Sequence, residues 1–238
     1  MKNLIIDIGA HIGESIEVAM KKKYNFSAIY AIEPSSYCQK YLKSYKDDRI
    51  HVCKFGFGSD NTQVTLFGAG SVGASIYQEK TPYWSTKETI EVRKFSEWFN
   101  ENISHDCSVW IKLNVEGYEL EIIKEFANIR NINSIVSVLI SFDVEKIPSL
   151  LGQKSILERI LKEDLKIPFA ERREGYEVEE WLDSFIELNQ SVNLYDRIQE
   201  IFRLNIPVSR NLRRIVKPFI PERIWLSFAL NFGPNRKR

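Results

Sequence analysis

Asp7-Ile-Gly-Ala-His-Ile-Gly13 places a carboxylate, a histidine and two glycines directly behind an apolar run. A glycine lets a ligand approach the backbone closely, because no Cβ stands in the way. A helix starting there adds free N–H groups and the positive end of its dipole. Gly9, Ala10, His11 and Gly13 are therefore candidate cofactor contacts. Glu33 follows 24 positions after Gly9, with Pro34 behind it. A carboxylate near that spacing, closing a second strand, accepts hydrogen bonds from both hydroxyls of a ribose. Pro34 stops the strand's ladder, because it has no N–H to donate. Gly58, just past a third strand-like run, is a further candidate on the cofactor side. The alternative is a tight strand-to-helix turn with a surface glutamate.

The glycine spacing is Gly-x-x-x-Gly rather than G-x-G-x-x-G. No pyrophosphate cradle is implied, which favours S-adenosylmethionine (product S-adenosylhomocysteine) over a nicotinamide dinucleotide. Asp7 is then placed to hold the amino group of the methionine part, directly or through water. A literal G-x-G-x-x-G does occur, from Gly68 to Gly73 after Val64–Phe67. It offers a competing function, a nicotinamide- or flavin-dependent oxidoreductase. Two features count against it. Pro82 would cut short the helix that the motif requires, and the run Thr89–Val92 ends in Arg93 and Lys94 instead of an acid. The same residues also suit a Gly/Ser loop over the pocket.

A second polar cluster is Lys112-Leu-Asn-Val-Glu-Gly-Tyr-Glu119. Lys112, Asn114 and Glu116 share one face of an extended segment, because side chains alternate. That face is costly if buried without partners. A ligand crevice at the carboxyl end of an open α/β sheet removes the cost. A plain Lys112–Glu116 ion pair at a sheet edge is the alternative. Lys112, Asn114, Glu116 and Asp143 are the candidate catalytic residues, with Glu116 or Asp143 as general base and Lys112 orienting it or the acceptor.

Alternating elements must position these clusters. Leu4–Ile8, Ala28–Ile32, Ile50–Phe57, Ser108–Val115 and Ile135–Phe142 read as strands. Gly13–Tyr24, Ser35–Tyr45, Phe95–Asn102 and Tyr118–Phe126 read as helices. Lys21, Lys22 and Lys23 suit the last turn of the first, and Ser35 or Ser36 suits the N-cap of the second. This order predicts a Rossmann-like, doubly wound, mostly parallel sheet with helices on both faces. After Pro148 strands become scarce, and 153–164, 176–188 and 193–204 read as helices. Residues 1–150 are expected to form the catalytic core, and residues 151–238 a helical extension.

Asp7–Gly13, Glu33-Pro34 and Lys112–Glu119 together resemble the FkbM-type methyltransferases, whose pattern is D-x-G-A-x-x-G, then E-P, then K-x-D-x-E-G-x-E. The resemblance spans roughly residues 3–145. It implies the class I methyltransferase sheet and O-methylation of a sugar or polyketide hydroxyl, with S-adenosylmethionine as donor. It carries Asp7, Gly9, Gly13 and Glu33 to cofactor binding, and Lys112, Glu116 and Glu119 to the active-site region. Asn114 stands where the family has Asp. Asn cannot act as a general base and is a weaker ligand for a hard cation. Another group, with Asp143 as candidate, must then serve, or the chain binds the cofactor without turning it over. A cap is the other role for Asp143.

The whole chain bounds these readings. With 238 residues, 44% hydrophobic and 27% charged, it has an ordinary globular balance. Three cysteines without C-x-x-C spacing fit a reducing, cytoplasmic setting, and three scattered histidines suggest no metal. No signal peptide or bilayer-spanning run is visible. Arg203 to Arg238 holds nine Lys/Arg against Glu222, a net of +8 that leaves −7 elsewhere, given the total of +1. Within it, residues 211–238 mix arginines with Ile224, Trp225, Phe228 and Phe232. That is the composition of an interfacial helix at the inner face of a membrane, which would suit a lipid-linked glycan acceptor. The alternative is packing on the core or on a second copy, as a homodimer. Nucleic acid is set aside, since the body is acidic and no stacking module is visible.

Overall fold

In the computed structural model, residues 2–80, 85–172 and 178–186 are described. The central sheet takes β1 (Lys2–Ile8), β2 (Phe26–Ile32), β3 (Ile50–Cys53), β7 (Cys107–Leu113), β8 (Ile135–Ile140) and β9 (Phe169–Glu171) in the order β3-β2-β1-β7-β8-β9. Every pairing in it is parallel. The order reverses between β1 and β7, which opens a crevice at their carboxyl ends. The expected doubly wound α/β sheet is therefore present. Its last strand lies past residue 150, so the sheet extends beyond the boundary expected there. One compact unit runs from Met1 to Trp181, and a second takes Leu182–Arg238. The expected helix 193–204 and the basic tail 211–238 lie outside the described residues.

Apolar runs on β1, β7 and β8 are buried on both faces, as a covered parallel sheet requires. Leu4, Ile6, Ile8, Val109, Ile111 and Leu113 point to one face. There they pack with Phe95 and Phe99 of α3 (Phe95–Asn102) and with Ile122 and Ile123 of α4 (Glu119–Lys124). Ile5, Asp7, Trp110 and Lys112 have the opposite parity and share the other face. Trp181, fully buried, donates from its indole to Ser137 Oγ at 3.2 Å.

Several element limits differ from expectation. The first helix is only α1 (Glu14–Ala19), because Lys21 adopts an extended conformation. Lys22 and Lys23 fall in a separate 3-10 turn, Lys22–Tyr24, outside α1. Lys21 and Lys23 instead hold Glu179 at 2.5 and 2.9 Å. The expected third strand divides, since β4 (Gly56–Gly58) leaves the main sheet. It joins β5 (Thr62–Phe67) and β6 (Lys87–Lys94) in a small sheet ordered β4-β6-β5. Ser35 is the N-cap of α2 (Ser36–Leu42), as expected, but its hydroxyl makes no capping bond. The Ser35 and Ser36 amides donate to the carboxylates of Glu33 and Glu88.

The small sheet overturns the dinucleotide reading of Gly68–Gly73. β5 pairs antiparallel with β6, and Phe67 pairs with Ser75 across the loop. Among the described residues between Gly73 and β6 there is only a single turn, Gln78–Lys80, and β5 and β6 run antiparallel, so the parallel β-α-β unit that the motif needs is not formed. Gly70 is required by packing, since a Cβ there would lie 2.7 Å from Tyr37 Cβ.

Gly9 is required most strictly. It has φ +82°, and an added Cβ would lie 1.9 Å from the Asn114 carbonyl oxygen. Gly152 has φ +90° with nothing within 4 Å of its would-be Cβ. Gly152→Ala is expected to cost only the left-handed strain, about 1–2 kcal/mol. Gly9→Ala should cost clearly more, because β1 and β7 must also separate. Urea unfolding of both variants measures this, and equal losses would contradict it.

Candidate functional site

The crevice is lined by two walls. Gly9, His11, Glu14, Glu33, Pro34 and Ser35 belong to the ends of β1 and β2 and the helices that follow. Lys112, Asn114, Glu116, Tyr118 and Arg172 line the β7 side. Gly70, Ser71, Val72 and Ala74 of the small sheet's loop contribute a further part of the lining, together with the apolar side chains Phe57, Leu66, Ile90 and Val92.

Glu33 is the most strongly built element of the first wall. Its Oε2 accepts from the His11 amide at 3.0 Å and its Oε1 from the Ser35 amide at 2.8 Å. Its own carbonyl accepts from the Gln39 side chain at 2.7 Å. Burial pushes its carboxyl up, while those amides, His11 and Lys112 pull it down, and the balance lies above the ordinary glutamate value. Each oxygen keeps one lone-pair direction beyond its amide donor. The neighbouring Cys38 thiol also lines the crevice; burial, with Glu33's charge, pushes it up to about 11, so it is a neutral group there.

Asp7 lies elsewhere. It is 1% exposed, does not line the crevice and faces Lys112, its register partner on β7, with Nζ 2.9 Å from Oδ1. The same ammonium donates to the Gly9 carbonyl at 2.6 Å. Lys112 therefore pairs with Asp7, not with Glu116. Three other expected cofactor contacts are absent from the lining. Ala10 is buried, with its amide on the Ile32 carbonyl. Gly13 makes room for the Tyr45 ring, which a Cβ would meet at 2.6 Å. Gly58 makes room for Tyr118 at 2.7 Å.

On the second wall the strand ends at Leu113, so Glu116 no longer follows its alternation. Glu116 takes a left-handed conformation, φ +59°, next to Gly117 at φ +119°. Backbone strain of this kind persists only where surrounding contacts hold it. Here the Ser75 hydroxyl donates to the Glu116 carbonyl at 2.7 Å, and the Lys80 ammonium pairs with its carboxylate. Lys80 lies in a stretch without a sequence pattern, and its ion pair depends on the chain folding back from the small sheet. Burial lowers the Lys80 pKa.

Asn114 lines the crevice and Asp143 stands behind it. With its amide oriented as its neighbours require, Asn114 donates to Asp143 Oδ2 at 2.8 Å and accepts from Arg172 at 3.1 Å. Asp143 is fully buried, pairs with Lys146 and is not part of the lining. It is placed to position Asn114, and it lacks the access that a base needs. Glu119 is also fully buried behind the wall, with Oε1 accepting from the Gly117 amide at 3.1 Å. Among the described residues, no group of three or more His, Cys, Asp or Glu is placed to hold a metal, and no helix is long and apolar enough to cross a membrane.

Residues 7–184 match the model of the methyltransferase FkbM domain. The chain belongs to that family, and the match runs further than the segment 3–145 that carried the resemblance. No curated protein and no solved structure matches the chain.

Burial, reinforced by the charge of Asp143, pushes the Glu119 carboxyl up to about 7 from 4.5. The folded state thus binds this proton more tightly than the unfolded chain. That contribution to stability is complete below about pH 4.5 and is lost as pH rises towards 7. Glu119→Gln should remove this decline and gain about 2–3 kcal/mol at pH 8 relative to pH 4. Urea unfolding at both pH values checks this, and a wild-type-to-variant difference independent of pH would contradict it.

Proposed function

We propose that this member of the FkbM methyltransferase family transfers a methyl group from S-adenosylmethionine to a hydroxyl of a sugar, glycan or related small molecule. One observation carries the cofactor: Glu33 is clamped by two backbone amides, lines the crevice and offers one remaining lone pair on each oxygen, which suits a vicinal diol. Ile32, Phe57, Ile90 and Val92 beside it provide an apolar slot for a purine ring. These residues fit the group.

S-adenosylmethionine supplies a methyl group on a sulfonium, ready for in-line displacement. The chain's task is to hold an acceptor oxygen in line and to take its proton. Glu116 is the carboxylate suited to that proton, because it lines the crevice on the Lys112 side while Asp143 does not. Lys80 and Ser75 hold its side chain and backbone. Lys112 fixes the Gly9 turn against β7, so the two walls keep their spacing. Asn114 spends its amide on Asp143 and Arg172, so the loss of the family's Asp leaves Glu116 as the base. A hydroxyl acceptor, and a lipid-linked one at a membrane surface, follow from the family resemblance and from the composition of residues 211–238.

Calorimetric titration with S-adenosylmethionine and S-adenosylhomocysteine, with NADH as control, tests this reading. Micromolar binding of the sulfur compounds alone is expected, weakened at least about tenfold in Glu33→Ala, one lost charge-assisted hydrogen-bond set. Glu116→Gln should keep that affinity and lose about 10²–10⁴-fold in turnover in a screen of sugar acceptors. Binding of NADH alone would overturn the cofactor, and full turnover in Glu116→Gln would overturn the base.

A further inference from the structure

The proposed cofactor ends in an amino acid, with an α-ammonium and an α-carboxylate to be recognised. The ammonium needs an anionic or carbonyl acceptor. Asp7 is sealed behind the wall by Lys112, and the Gly9 carbonyl takes the same ammonium at 2.6 Å. Three carboxylates line the crevice. Glu33 is clamped at the β2 end and Glu116 is paired with Lys80. The third is Glu14, the first residue of α1.

Glu14 is turned towards the glycine motif by His11, whose Nδ1 lies 3.0 Å from its Oε1. His11 itself is held in a left-handed conformation, φ +49°, with its amide on Glu33. One backbone kink therefore places two carboxylates on the same wall. Burial raises the Glu14 pKa, but His11 and the charge of Lys112 outweigh it and keep the carboxyl below the ordinary range. Lys112 lines the same crevice. Its side chain is 5% exposed, and its ammonium carries three N–H donors, one of them on the Gly9 carbonyl, beside the Asp7 carboxylate.

Building on the cofactor reading above, we infer that Glu14 and Lys112 bind the amino-acid end of the cofactor. Glu14 takes the α-ammonium, and an N–H of Lys112 not held by the Gly9 carbonyl takes the α-carboxylate. The assignment expected for Asp7 passes to a residue seven positions later, because Asp7 is committed to holding Lys112 in place.

The test uses the whole chain and S-adenosylmethionine with three relatives of it. S-adenosylhomocysteine carries the amino-acid end, 5′-methylthioadenosine lacks it, and decarboxylated S-adenosylmethionine lacks only the carboxylate. Glu14→Gln should weaken S-adenosylhomocysteine at least tenfold and leave 5′-methylthioadenosine within twofold. Glu17→Gln, the same charge change on the same helix but outside the crevice lining, should leave both unchanged. The wild type should bind S-adenosylmethionine several-fold more tightly than its decarboxylated form. Unchanged affinity in Glu14→Gln, or an equal loss for both thioethers, overturns the role of Glu14. Equal affinity for the decarboxylated form overturns that of Lys112. If the wild type binds 5′-methylthioadenosine as tightly as S-adenosylhomocysteine, the inference fails while the cofactor reading stands. If it binds neither, both fall.

Discussion

Asp7 and Lys112 form a buried ion pair in the middle of the parallel sheet, and the crevice takes its shape from it. Their strands are neighbours and the two residues are register partners, so the side chains emerge side by side on one face. Removing two charges from water is expensive, and such a pair contributes little to net stability. Its consequence here is geometric. The ammonium also grips the Gly9 carbonyl, so the turn after β1 is tied to the end of β7. The Asn114 backbone N–H donates back to the Ile8 carbonyl at 3.0 Å. Gly9 has no Cβ and lets the Asn114 carbonyl approach. Two strand ends thus become one rigid base for a ligand.

Both walls depend on that base. On one side the turn continues to His11, whose amide orients Glu33 and whose ring orients Glu14. On the other side the chain leaves β7 through the left-handed Glu116, which the segment from the small sheet secures with Ser75 and Lys80. Each carboxylate that lines the crevice has a partner: Glu116 the Lys80 ammonium, Glu14 the His11 ring and Glu33 two backbone amides. A low-dielectric cleft tolerates charge only when it is paired in this way.

The strands that carry the site were legible from apolar runs ending in glycine or an acid, because a strand buried on both faces leaves an unmistakable run. The place of Glu33 at the crevice was legible too, since it follows from distance along the chain. What the sequence hid were contacts set by strand order and by folding back. Lys112 seemed to face Glu116 by alternation, but the strand ends at Leu113, and the neighbour across the ladder is Asp7. Gly13 and Gly58 seemed to face a ligand, yet they yield to Tyr45 and Tyr118, residues that no local pattern links to them. The Gly68–Gly73 loop carries a cofactor fingerprint in an antiparallel setting, where it lines the crevice but forms no parallel β-α-β unit. Lys80 and Arg172 had no sequence signal, since one reaches the site from a lone turn after the small sheet's loop and the other from the end of β9.

On the proposed function, the ends of β1 and β2 bind an adenosine-type cofactor while Lys112 stays on Asp7. A crystal structure of the complex with S-adenosylhomocysteine tests it most directly. The predicted result is a ribose diol on the Glu33 carboxylate, the purine among Ile32, Phe57 and Ile90, and an unbroken Asp7–Lys112 pair. A ligand seated on the Gly68–Gly73 loop away from Glu33, or a Lys112 that has left Asp7, would contradict it.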